Sequence, residues 1–220
     1  MPGARGARFE LVIFDCDGVL VDSEPIANRV LAESLSELGR PTSAEQAWRE
    51  YGGQTWDACF AQMERSLGRA LPSGFPDAFA ARLEQALERE LEPIAGIHEA
   101  LAAISTPSCV ASNGRHETMR LTLAKTGLLA RFDGRIFSAA DVPRPKPFPD
   151  LYLHAAARMG VAPARCAVVE DSPRGAAAGA AAGMTVFGFA PHGGSERIAA
   201  SCAQVFADMR ALPRLLEPES

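Results

Sequence analysis

Residues 9–24 read FELVIFDCDGVLVDSE, an apolar run that ends on two aspartates, Asp15 and Asp17, with Gly18 directly after them. A strand that is apolar at nearly every position is covered on both faces, as in a parallel sheet. Two carboxylates one residue apart repel each other, so a buried strand that ends on them needs a cation to offset the repulsion. Glycine then lets the chain turn away.

Working outward, four more runs have the same continuous apolar character: SCVAS at 108–112, RIFSA at 135–139, CAVVE at 166–170 and MTVFGF at 184–189, with a weaker AQVFA around Val205. Helical stretches separate them at 117–126, 150–159 and 173–182. Strand, helix, strand repeats predict a doubly wound α/β parallel sheet. Residues 25–91 break the pattern, with PIANRVLAESLSELG, SAEQAWREY, TWDACFAQMERSLG and FPDAFAARLEQALERELE all reading as amphipathic helices. A crossover of about 70 residues is far longer than an ordinary connection. The expected organisation is a core from 1–22 and 92–220, with a helical subdomain at 23–91 and EPIAGI as the return linker.

The 220-residue chain is 47% apolar with a net charge of -5, which excludes a disordered segment and lacks the basic balance of a nucleic-acid binder. Its five cysteines show no C-x-x-C pair, so neither a disulfide framework nor a zinc site is expected. Cys16, Cys109 and Cys166 read as small buried residues in a reducing cytoplasm. The opening MPGARGARFE has no hydrophobic region of a signal peptide, and the uncharged stretch 175–195 is broken by Pro191. A cytoplasmic protein without a membrane span is expected, as a monomer or weak homodimer.

In open parallel sheets, ligands bind beyond the carboxyl ends of the strands. The residues there are Asp15 and Asp17, then Ser112, Asn113 and Gly114, then Lys146 in the loop RPKPFPD, then Glu170 and Asp171. Each has a plain structural alternative. Ser112 could cap the following helix, Asp171 or Ser172 could be the N-cap of a helix with Pro173 in its first turn, and Lys146 could be a solvated loop residue. Those alternatives leave unexplained why all of them fall on one edge. They also leave unexplained why Pro143, Pro145, Pro147 and Pro149 stiffen the lysine loop. Taken together, the carboxylates suit Mg2+, which prefers oxygen ligands. The lysine and hydroxyl suit a phosphoryl group. A carboxylate can attack phosphorus, and a second one two residues on can move the proton.

The motifs DCDGVLVDS, ASNG, RPKPFPDLY and VVEDSPRGAAAGAAAG, in this order, resemble the four motifs of the haloacid dehalogenase superfamily of phosphatases with an α-helical cap inserted after the first strand. The resemblance covers almost the whole chain, least of all the cap. It implies that Asp15 is the nucleophile and a Mg2+ ligand. It implies that Asp17 is the general acid and base, and a ligand through its backbone carbonyl. Ser112 with the backbone N–H groups of Asn113 and Gly114 is implied to hold the phosphoryl oxygens, and Lys146 to neutralise charge. Asp171, and Glu170 directly or through water, would complete the metal site. Arg115 in the core and Gly53 and Gln54 in the cap are candidate substrate contacts. Gly52, Trp56 and His116 are further ones, Trp56 reading more readily as helix packing and Arg115 equally as a solvated helix start.

Dehalogenases of the superfamily lack the second aspartate, so Asp17 argues against dehalogenation. The β-phosphoglucomutase type has a histidine and a tryptophan where this chain has Ala27 and Leu31, and a cap arginine that YGGQTWD (51–57) does not supply. The reading is a Mg2+-dependent phosphatase of small phosphorylated metabolites, sugar phosphates foremost. A phosphomutase and a non-enzymatic phospho-ligand-binding module are the alternatives. CVASNG and RPKPFPDLYLHAAARMGV are most similar to sugar-phosphate phosphatases of the 6-phosphogluconate kind.

Overall fold

The computed structural model describes residues 8–52, 54–191, 193 and 195–217. The chain forms two compact units: Asp22–Glu92, and the segments before and after it.

The larger unit starts with strand β1 (Leu11–Phe14), all four residues of which are buried. The smaller unit is helical: α1 (Glu24–Glu37), α2 (Ala44–Tyr51), α3 (Trp56–Leu67) and α4 (Phe75–Glu90). Its helix starts follow the local chemistry. The Ser43 hydroxyl accepts from the Gln46 N–H while Gln46 reaches back to the Ser43 N–H, a capping box. Thr55 caps α3 by accepting from Ala58 N–H. Aromatic rings cluster around the buried Phe79 of this unit, with Trp56 4.7 Å and Phe60 5.4 Å from it, ring centre to ring centre. Trp56 thus packs on its neighbours while keeping 39% of its surface exposed. Arg82 pairs with Glu33 and Glu37, and Arg29 with Glu90. These exposed pairs select the pairing of α1 with α4 more than they stabilise it.

Back in the larger unit come α5 (Ile97–Ala103), β2 (Ser108–Ser112), α6 (His116–Lys125), α7 (Leu129–Phe132), β3 (Ile136–Ser138), α8 (Asp150–Met159), β4 (Cys166–Glu170), α9 (Pro173–Ala181), β5 (Thr185–Phe189) and β6 (Gln204–Phe206). Helix α5 follows the expected return linker EPIAGI, in a stretch for which no element was expected. The strands form one six-stranded sheet in the order β3-β2-β1-β4-β5-β6, with every pairing parallel.

Alternation of side chains along β1 explains why the run is apolar throughout. Leu11 and Ile13 join a buried cluster with Cys109, Ala111, Cys166 and Val168 of the neighbouring strands and with residues of α8 and α9. Phe14 instead meets Phe132 of α7 at 6.1 Å. Both faces of the sheet are therefore covered, as a doubly wound fold requires. Cys16, Cys59, Cys109 and Cys166 are buried free thiols, and burial raises the pKa of each. Among the described residues, no helix is long and apolar enough to cross a membrane.

Candidate active site

In the strand order 3-2-1-4-5-6 the chain reverses its direction of winding between β1 and β4, and a crevice opens there beyond the carboxyl ends. Asp15 follows β1 directly, and its N–H donates to Val169 O of β4 at 3.0 Å. Glu170 closes β4 and Ser112 closes β2, the two strands that flank β1. Sheet register alone thus sets three polar side chains side by side.

Lys146 is inserted among them. It is 3% exposed, which removes the solvated-loop alternative. Its Nζ donates to Asp15 Oδ1 at 2.9 Å and to Glu170 Oε1 at 2.7 Å. The lysine loop is fastened by side chains from the β2–α6 loop and from the first turn of α9. Asn113 Oδ1 accepts from Lys146 N–H at 3.1 Å, Asn113 Nδ2 donates to Lys146 O at 3.4 Å, and Arg174 donates to the same carbonyl at 3.1 Å. The sequence offered Asn113 only as a phosphoryl contact through its N–H. In the structure its side chain holds the lysine main chain, a pairing between residues 33 apart that no local pattern signals.

Glu170 is fully buried and richly supplied with donors. Oε1 accepts from Lys146 and from Tyr152 Oη at 2.9 Å, and Oε2 accepts from Ser172 N–H at 3.0 Å and Ser172 Oγ at 2.9 Å. Ser172, not Asp171, caps α9, accepting from Gly175 N–H. Glu170 packs so tightly under α9 that a Cβ on Gly175 would fall 1.6 Å from Oε1. Gly175→Ala is therefore expected to destabilise the protein by roughly 1–3 kcal/mol as overpacking at a held side chain. That corresponds to roughly 2–12 °C in a thermal melt of a chain this size. An unchanged melting temperature would mean that Glu170 has room to move.

The charges respond differently to burial. For Asp15 burial outweighs Lys146, and the carboxyl is pushed up to about 7, with Glu170 and Asp17 adding repulsion. For Glu170 burial acts in the same direction, but Lys146 and Ser172 overcome it and hold the pKa below the ordinary range. The difference follows from the donors: among the described residues Glu170 accepts four hydrogen bonds, while Asp15 accepts that from Lys146. Burial also works to lower the Lys146 pKa, but Asp15, Glu170 and Tyr152 together keep it well above the usual lysine value. Lys146 is an ammonium, and of its two carboxylates Asp15 keeps the less compensated charge.

Asp15, Glu170 and Asp171 each offer an oxygen within 4.8 Å of the others, an acidic group able to hold a metal ion. Asp171 lies against Gly18: a Cβ there would meet Asp171 Oδ2 at 2.1 Å, and φ of Gly18 is +73°, so glycine is required twice over. The Asp17 carboxylate lies outside this acidic group and is exposed. It sits near the β2 loop, with Oδ2 3.9 Å and Ser112 Oγ 3.5 Å from where a Cβ of Gly114 would be. Ser112 does not cap α6; its Oγ accepts from Gly114 N–H at 3.1 Å. Arg115 is exposed at the start of α6. His116 Nε2 lies 3.0 Å from Asp141, which also accepts from Ser138 N–H.

Of the helical-unit candidates, Gln54 Nε2 donates to Glu50 O and to Gln62 Oε1, bonds within its own unit. Gly53 lies outside the described residues. Tyr152 and Arg174 are the polar neighbours that sequence reasoning missed. Tyr152 stands in RPKPFPDLY, but an aromatic in a helical pattern reads as core packing.

Fold and site define an α/β enzyme with an acidic, lysine-bearing centre at the switch point of its sheet. Residues 9–183 match the model of the haloacid dehalogenase-like hydrolase family. The chain is 34% identical over 210 residues to 6-phosphogluconate phosphatase of Escherichia coli, covering 95% of each chain. It is 29% identical to the fructose-1-phosphate phosphatase of the same organism, over 80% of this chain and 94% of the other. Among solved structures, a haloacid dehalogenase family hydrolase from Deinococcus radiodurans, with bound phosphate and sodium, superposes with a TM-score of 0.81 at 33% identity, covering 97% of this chain and 100% of that one. The chain belongs to the haloacid dehalogenase-like hydrolase family and is an enzyme of its phosphatase class.

Proposed function

We propose that the protein is a Mg2+-dependent phosphatase of sugar phosphates and related phosphorylated sugar acids, acting through a phosphorylated Asp15. The observation that carries this reading is the Asp15–Lys146–Glu170 arrangement, in which one buried ammonium serves two carboxylates and leaves Asp15 short of positive charge. The oxygen-rich donor set of Asp15 and Asp171 suits Mg2+. Asp17 would add its backbone carbonyl. Glu170, with both oxygens already accepting from protein donors, would add its negative charge beside the ion. When bound, the ion supplies charge that keeps Asp15 ionised and draws electron density from the phosphoryl oxygens.

In this reading, an Asp15 oxygen attacks phosphorus and the bond to the sugar oxygen breaks, with Asp17 giving that oxygen its proton. Water then attacks the aspartyl-phosphate as Asp17 takes a proton from it, and the phosphorus–Asp15 bond breaks to release inorganic phosphate. Ser112, Asn113 N–H and Gly114 N–H orient the phosphoryl oxygens, and Lys146 neutralises charge on them. The helical residues 23–91 form the cap, with Gly53 and Gln54 as candidate substrate contacts; Arg115 contributes from the core. The choice of sugar phosphates rests on the phosphatase relatives.

The test is a panel of phosphorylated metabolites that includes 6-phosphogluconate, fructose 1-phosphate and hexitol phosphates, with phosphate release as the readout. Release is expected with Mg2+ and is expected to vanish in excess EDTA. Isomerisation of a hexose 1-phosphate without phosphate release would replace the phosphatase reading with a mutase.

A further inference from the structure

Tyr152 lies in the first turn of α8 and is fully buried. Its ring and its hydroxyl do different things. The Lys146 Nζ stands 4.8 Å from the ring centre, within range of a cation–π contact. The hydroxyl donates to Glu170 Oε1 at 2.9 Å, the same oxygen that accepts from Lys146 at 2.7 Å. The buried cluster it belongs to, with Leu151, Ala155 and Cys109 among its members, would accept a phenylalanine as readily. A buried hydroxyl costs free energy unless it is bonded, so its place here is explained by Glu170 and not by packing.

A carboxylate oxygen that a second donor already satisfies draws less strongly on an ammonium it shares with another carboxylate. Glu170 Oε1 has two lone-pair directions: Tyr152 fills one and Lys146 the other. With that second donor in place, Glu170 pulls less strongly on Lys146, which stays within 2.9 Å of Asp15. We propose that Tyr152 is a positioning residue: it divides Lys146 between Glu170 and Asp15 by its hydroxyl and carries the ammonium on its ring. This rests on the reading that Asp15 receives the phosphoryl group and that Lys146 faces it. Tyr152 touches neither substrate nor reacting atoms; it acts through Lys146.

The test compares Tyr152→Phe, which keeps the ring, with Tyr152→Leu, which removes it, in the full chain with Mg2+. Steady-state kinetics are measured on the best substrate of the panel, and the crystal structure of each variant is solved. Loss of the one hydrogen bond to Glu170 that steadies Lys146 predicts a kcat roughly 5- to 10-fold lower for Tyr152→Phe with KM within about two-fold, since Lys146 acts on charge that grows in the transition state. Tyr152→Leu is expected to lose more. In the Tyr152→Phe structure the Lys146–Asp15 separation is expected to lengthen past the hydrogen-bond limit of about 3.2 Å. A wild-type kcat in Tyr152→Phe, or a loss carried by KM alone, overturns the proposal. So does a Lys146 still bonded to both carboxylates. If the wild-type protein releases no phosphate from any substrate, the functional reading fails, and the Lys146–Asp15 separation in Tyr152→Phe still decides the positioning.

Discussion

Asp15→Asn is expected to lower phosphate release by roughly four orders of magnitude or more, the scale seen when a covalent nucleophile is removed. The amide keeps the size and one acceptor of the carboxylate but is a far poorer nucleophile, and it cannot carry the negative charge that a metal ion binds. The same change should leave the fold intact. Burial already pushes the Asp15 carboxyl up to about 7, so the folded state resists its charge, and a neutral side chain at this position removes a repulsion with Glu170 and Asp17. Lys146 keeps Glu170 as its partner. The variant therefore separates chemistry from stability. Its metal-free melting temperature is expected at or above that of the wild type, and acid-quenched enzyme is expected to show a phosphorylated species by intact mass only in the wild type. Sustained turnover in Asp15→Asn would remove the aspartyl-phosphate mechanism.

The core was legible because its strands are short apolar runs bounded by polar residues. β2 and β4 coincide with SCVAS and CAVVE, and α8 begins and ends as its pattern predicts. β1 is shorter than FELVIF because Phe9 lies outside the ladder and packs edge-on against Phe187. Helix α5 went unread: its seven residues are too few to show a period, and the Pro and Gly just before it read as linker. At the site, the end of each strand marked Asp15, Ser112 and Glu170, since sheet register brings strand ends together whatever the loops do. The fastening of Lys146 was not legible. Asn113, Tyr152 and Arg174 reach it from three separate segments, and nothing in their own neighbourhoods distinguishes a clamp from a turn residue, a core aromatic or a surface arginine. Gln54 shows the reverse: a polar residue in a glycine-containing loop looked available for a ligand, yet its amide is bonded to Glu50 and Gln62.

Lys146→Met carries the second large effect, and it bears on folding as much as on catalysis. Methionine fills a similar volume without the charge, so the loss is electrostatic. Removing one partner of a buried ion pair leaves an uncompensated charge and costs about 3–5 kcal/mol, roughly 6–20 °C in the melt of a chain of this size. Here one cation leaves two buried carboxylates at once. In the wild type Lys146 is held well above the ordinary lysine pKa, so its contribution is fully present at every pH below the unfolded value of about 10.4. In the variant the raised-carboxylate linkage grows. Burial remains while the cation is gone, so the folded pKa of Asp15, already pushed up to about 7, goes higher, and that of Glu170 passes from below its unfolded value to above it. The folded state then retains protons that the unfolded chain has released, and stability falls as pH rises through that window. The deficit relative to the wild type is thus expected to be small near pH 5 and large near pH 8, and Mg2+ should recover part of it by replacing the missing charge. Phosphate release is expected to drop by roughly two to three orders of magnitude, as for loss of one preorganised charge at a transition state. Melting curves at the two pH values, in EDTA and in Mg2+, decide the matter. A deficit that does not change with pH would mean that the two carboxylates are neutral or hydrated in the folded protein, and that Lys146 does not hold their charge.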